Sequence, residues 1–174
     1  LVESDTDLSM PAPSVRILKR TEKLSEKVLF SREQYGDFSE LLEKARRAYR
    51  DDLGAGSIVY LRKILERITF QAAAAANINS LNSKGRRKPF KQLLEEVDNE
   101  RSIIPQEFSA NRYRLFSDLS DVIHGDYNEM EGLQKYDAFY RLVVGVIDNV
   151  RNNDEMMSAI GSLGWNNDGV SSNE

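Results

Sequence analysis

A chain of 174 residues with no cysteine, one histidine and a formal charge of −4 suits a single domain with appendages, and it excludes disulfides and thiolate metal sites. The acidic balance, with a sequence pI near 5.2, argues against a general duplex-DNA binder, whose non-specific affinity comes from neutralising phosphates. No apolar run approaches the length of a membrane span and no charged-then-apolar leader opens the chain, so a soluble, cytoplasmic protein is expected. Because it opens on Leu1 and not on Met, the chain reads as a fragment or a processed product.

Residues 1–36 read as an irregular N-terminal arm. "ESDTDLSMPAPS" is polar and carries two prolines, which disfavours a helix, while "VRILKR" and "KVLF" are short enough to be strands of a small hairpin. From Asp37 the period becomes helical. "DFSELLEKARRAYRDD" places Phe38, Leu41, Leu42, Ala45 and Tyr49 on one face, with Asp37 or Ser39 available as a cap. Gly54 and Gly56 read as turn punctuation before "SIVYLRKILERITFQAAAAANI", whose apolar face carries Ile58, Leu61, Ile64, Leu65 and Ile68. Its alanine run favours helix and lets a neighbour approach closely.

A polar, basic loop, "NSLNSKGRRKP", leads to a shorter helix, "PFKQLLEEVDNE", with Pro89 near its first position. Pro105 then opens "PQEFSANRYRLFSDLSDVIHG", read as one helix that Gly125 terminates. A last amphipathic helix runs through "GLQKYDAFYRLVVGVIDNVRNN", followed by a possible extra turn near Met156 and a polar tail. The expectation is an all-α bundle of about five helices over residues 37–152, with a short helical turn and polar tail over 153–174.

Three groups of residues could carry chemistry. His124 stands near Arg112, Arg114, Asp118, Asp121 and Asp126, the ingredients of acid–base cleavage of a phosphodiester. Asp121, three residues before it, can meet the imidazole on one face, whereas Arg114 lies about 15 Å away along the axis if the helix is continuous. The plainer reading has His124 completing the last turn, favourable against the helix C-terminus. Arg62 and Glu66 have i,i+4 spacing and read as a structural pair, with a place facing His124 as the functional alternative. Lys84, Arg86, Arg87, Lys88 and Lys91 form the one strong basic cluster. It reads either as a solvated loop or as a contact for phosphate or an acidic partner, and no interleaved aromatic suggests base stacking. The sequence holds no phosphate-binding glycine fingerprint, HExxH motif or cysteine nucleophile, so neither a metal nor a cofactor is expected.

Together, "AGSIVYLRKILERI", "FSDLSDVIHGD" and the amphipathic helix after them resemble the HEPN superfamily of helical domains, in particular the uncharacterised type found with prokaryotic restriction endonucleases and abortive-infection proteins. The resemblance covers roughly residues 38–152. It implies a helical bundle, pairing of two subunits and, in active members, metal-independent RNA cleavage by an Arg followed shortly by a His. Here Ser117, Asp118 and Leu119 occupy the positions of that Arg, so His124 lacks the cation that would balance the developing phosphorane charge. The reading that follows is a non-catalytic interaction or sensing module, homodimeric through apolar residues left on the last helix. The alternative is a ribonuclease toxin using His124 with Asp121 and an Arg112 or Arg114 brought from elsewhere. On the non-catalytic reading, a protein partner or, weakly, nucleic acid is the expected contact of the basic loop.

Overall fold

The computed structural model describes residues 2–4, 15–17, 35–124 and 129–164. Among them are five α-helices: α1 (Ser39–Arg50), α2 (Gly54–Ala75), α3 (Phe90–Arg101), α4 (Arg114–His124) and α5 (Glu129–Ser162). They form the expected all-α bundle, with α2 in the middle, packed against each of the other four. Its core face carries Ile58, Leu61, Ile64, Leu65 and Ile68, all essentially inaccessible to water, against Leu42 of α1, Leu94 of α3, Leu119 of α4 and Val143 of α5. Burying a side chain of this kind fully stabilises the fold by roughly 1.5–3 kcal/mol before the entropy cost. Ser57 and Thr69, also buried on α2, return their hydroxyls to the carbonyls of Gly54 and Leu65 and so cost the core no unpaired polar group.

Ahead of the bundle, β1 (Val2–Ser4) pairs antiparallel with β2 (Val15–Ile17) in the register Val2↔Ile17, Glu3↔Arg16 and Ser4↔Val15. The strand expected in "VRILKR" is therefore present over three residues. Its partner is the chain's opening Val-Glu-Ser, a run too short to carry a strand signal. "KVLF", the partner expected from the sequence, lies outside the described residues.

Four local expectations are corrected. Neither Asp37 nor Ser39 caps α1: a 3-10 turn over Gly36–Phe38 leads into it, and the Ser39 hydroxyl donates backwards to the Gly36 carbonyl. Gly54 and Gly56 are not turn residues but the first turn of α2. The turn itself is made by Asp52, in a left-handed conformation at φ 58, with Leu53 N–H closing onto the Ala48 carbonyl. The segment after Pro105 is not one helix: a 3-10 stretch, Gln106–Asn111, and a turn at Arg112 and Tyr113 precede α4. Finally, α5 continues without a break to Ser162, so the separate turn expected near Met156 belongs to it.

Gly54 is explained by what crosses it. A Cβ there would lie 2.0 Å from the Glu129 carbonyl oxygen, and one on Gly132 would lie 2.6 Å from the Gly54 carbonyl carbon. The backbones of α2 and α5 touch at a glycine–glycine crossing that any side chain would pry apart. Beside it, Glu129 accepts a hydrogen bond from Ala55 N–H at 2.7 Å, occupying one of the free amides at the start of α2.

Candidate functional site

The polar centre of the molecule is Asp98, on the last turn of α3 and 1% exposed, a residue the sequence does not mark out. One carboxylate oxygen accepts from Ile104 N–H at 2.8 Å. The other accepts from the Tyr113 hydroxyl at 3.1 Å and pairs with the Arg112 guanidinium at 2.9 Å. Its backbone carbonyl takes Ser102 N–H, which sets Ser102 in the left-handed region and turns the chain so that Ile103 and Ile104 plunge into the core. From the far side, Asn149 donates to the Ser102 and Ile103 carbonyls and Asn153 donates to that of Ser102, pinning α5 to the same turn. Arg101 donates to the Ala75 carbonyl and ties off the C-terminus of α2. This knot is what breaks the segment after Pro105: Arg112 and Tyr113 both turn to reach Asp98, and a helix through them would point them apart.

The residues around His124 are not brought together within one chain. Arg112 is held by Asp98. Arg114 is largely exposed, 3.5 Å from Asp118, and ten residues before His124 on an unbroken helix, about 15 Å along the axis. Asp121 is exposed on the last turns of α4. The His124 imidazole, Gly125 and Asp126 lie outside the described residues.

Arg62 and Glu66 do form the expected pair, 2.9 Å apart and only partly exposed. The guanidinium also lies over the Phe116 ring at 5.3 Å, which fixes α2 against α4. Phe116 precedes His124 by about 12 Å of helix, so this is where Arg62 is committed, and not to the histidine end of α4.

The basic loop is more ordered than a solvated connector. The Asn82 side-chain oxygen accepts from the amides of Lys84 and Arg86, Gly85 supplies the left-handed residue, and Leu81 bridges Arg87. Lys88 leaves the cluster, forming a partly buried ion pair with Glu96 on α3. Lys88, with Gln92, holds the Glu96 carboxyl below its ordinary range. Lys84, Arg86, Arg87 and Lys91 remain exposed. Aromatic rings stand closer to this loop than the pattern implies: Phe90 is 4.6 Å from Phe116 and 6.2 Å from the exposed Phe70, centroid to centroid.

Two further features had no sequence signal. Tyr49 and Tyr136 stack at 4.2 Å between α1 and α5, with Tyr140 beside them. Burial raises the phenol pKa of Tyr136 and pushes that of Tyr140 up to about 12. At neutral pH these are protonated packing groups, not acids or bases. The second feature is a groove of about 870 Å³ lined by Tyr35 and Phe38 ahead of α1, Ile68 and Ala72 of α2, Ile103, and Ile147, Met157 and Ile160 of α5.

Among the described residues no group of three acidic or histidine side chains is placed to hold a metal ion, and no helix is long and apolar enough to cross a membrane. The chain matches no protein-family model, no curated protein and no solved structure, so the functional reading rests on these residues and their geometry.

Proposed function

We propose that the chain is a non-catalytic, HEPN-like helical module that works by binding, as an interaction or sensing unit of a larger prokaryotic protein of the restriction-associated or phage-defence type. The observation that carries this reading is the commitment of Arg112 to Asp98. Cleavage of RNA without a metal needs a cation at the reacting phosphate, placed before the transition state forms. Each candidate near His124 is engaged elsewhere or remote: Arg112 on a buried carboxylate, Arg114 about 15 Å up the helix, Arg62 on Phe116 and Glu66. Asp118 and Asp121 would in addition repel a phosphodiester.

The surface offered to a partner is on α5 and the turn that ends it, where Leu142, Met156, Met157 and Leu163 are exposed. Apolar side chains of that size on one helix mark an interaction face, and a second copy of the chain is the simplest partner for it.

The test is an RNA-cleavage assay of the purified protein beside His124→Ala. Neither should cut RNA. The substitution should cost on the order of 1 kcal/mol of stability, the scale of a helix-end contact. Specific cleavage by the wild type, lost in a folded His124→Ala variant, would replace this reading with a ribonuclease whose arginine comes from a second subunit.

A further inference from the structure

The end of α5 is built differently from its middle. Met156, Met157 and Ile160 recur at helical spacing there, as core residues do, yet both methionines are more than half exposed. All three line the groove, where the buried Ile68, Ile103 and Ile147 continue the apolar surface. Exposed apolar side chains that run into a concave apolar lining mark a binding surface, and methionine, unbranched and polarisable, moulds itself to what enters. The charge on the same groove is one-sided. Four carboxylates, Asp37, Glu100, Asp154 and Glu155, stand against two guanidiniums, Arg101 and Arg151. Arg151 is shared between Asp148 and Glu155, and Arg101 donates to the Ala75 carbonyl. Glu100 and Asp154 are exposed and have no ion pair among the described residues.

We propose that this groove takes a basic amphipathic helix of another protein, with its apolar face on the methionines and isoleucines and its lysines or arginines on Glu100 and Asp154. The proposal rests on the interaction-module reading above and names the kind of partner that the end of α5 receives. Charge complementarity decides the occupant. A second copy's α5 end would carry Asp154 and Glu155 into a groove that is already acidic, whereas a cationic helix gains at each carboxylate and is steered towards them from a distance. The carboxylates come from three places, the turn ahead of α1, the end of α3 and α5, so they suit cations spaced along a rod better than the single charge of a small amine. Size agrees with this. Two turns of helix, taken as a cylinder about 10 Å across and about 11 Å long, fill about 850 Å³, and the groove holds about 870 Å³. An apolar stripe laid into a groove and flanked by charge is a recurrent mode of helix recognition, and a contact this short is reversible and sensitive to salt.

The probe is a dye-labelled synthetic peptide of about 14 residues, leucine along one helical face and lysine on the rest, titrated with the full chain and followed by fluorescence anisotropy. It should bind, and a peptide of the same pattern with glutamate for lysine should not bind the groove. Glu100→Gln combined with Asp154→Asn should weaken binding about fivefold, the worth of two exposed ion pairs. Met157→Glu should weaken it at least tenfold by removing apolar contact, although it adds negative charge. All three residues are exposed, so the helical circular dichroism of both variants should match the wild type. Failure of the leucine–lysine peptide to bind overturns the proposal, and the groove then belongs to another part of the chain, a second copy or a small molecule. Binding that Met157→Glu leaves unchanged or strengthens also overturns it, because charge alone would then be attracting the peptide. Binding of the leucine–glutamate peptide that Met157→Glu abolishes does the same, since the carboxylates would not be choosing the partner. RNA cleavage would sink the module reading without touching the peptide titration, so the two failures are separable.

Discussion

Replacing Asp98 by alanine removes the acceptor for three donors at once: Ile104 N–H, the Tyr113 hydroxyl and the Arg112 guanidinium. Ile104 is 2% exposed, and its amide would lose a partner where water does not replace one, at a cost of about 1–3 kcal/mol. Breaking a buried ion pair by deleting one member costs about 3–5 kcal/mol, and because the Arg112 side chain is 38% exposed the low end applies. The total expected is about 4–6 kcal/mol, or a fall in Tm on the order of 15 °C for a domain of this size. Asp98→Asn keeps the acceptor for Ile104 but turns amide hydrogens towards Arg112 and Tyr113, so about 3 kcal/mol is expected. Urea denaturation followed by far-ultraviolet circular dichroism measures both. Arg112→Gln combined with Asp98→Asn should cost less than the sum of the two single changes, because the pair is one interaction. A loss below about 1 kcal/mol for Asp98→Ala would refute the reasoning, and it would also release Arg112 as a candidate cation for cleavage.

Gly54→Ala should destabilise by more than about 3 kcal/mol, since its Cβ meets backbone and not a movable side chain. Gly56→Ala, with 3.5 Å of room to the Leu53 Cβ, should be neutral or stabilise by up to about 1 kcal/mol; equal effects in thermal melts would remove the glycine crossing as the explanation. Charge reversal of Arg86 and Arg87 should leave the melting temperature nearly unchanged and abolish any salt-dependent nucleic-acid binding, whereas Lys88→Glu should destabilise through the loss of Glu96; binding that persists would exclude the loop as its site. The raised tyrosines give an alkaline signature. Unfolded phenols release protons near pH 10 while Tyr140 holds its proton up to about 12, so the native state binds more protons in that window and stability falls as pH rises through it. Ultraviolet titration of the folded protein should show Tyr140 and Tyr136 ionising above the range of the unfolded phenols, and a single transition near pH 10 would contradict their burial.

The sequence by itself determined the class of fold and most of its core. The 3.6-residue period of Ile58, Leu61, Ile64, Leu65 and Ile68 can be satisfied only by a helix buried along one stripe, and the same holds for the faces of α1, α3, α4 and α5. Local chemistry also fixed the Arg62–Glu66 pair, because i,i+4 neighbours meet on any helix. Beyond that, local signals ran out where partners are distant in sequence. Gly54 reads as a turn because nothing nearby announces Gly132; the need for a bare backbone comes from a helix that returns much later in the chain. Asp98 looks like one more surface carboxylate on a charged helix. Its burial exists because Ile104, Tyr113 and Arg112 converge on it, and that convergence ends the 3-10 segment where periodicity alone would run one helix through. The role of Arg112 was decided in the same way. A guanidinium carries its charge wherever it sits, but only the tertiary structure says which carboxylate has already taken it. The groove beside α5 follows from the same limit, since a void is a relation between surfaces that no single stretch of sequence contains.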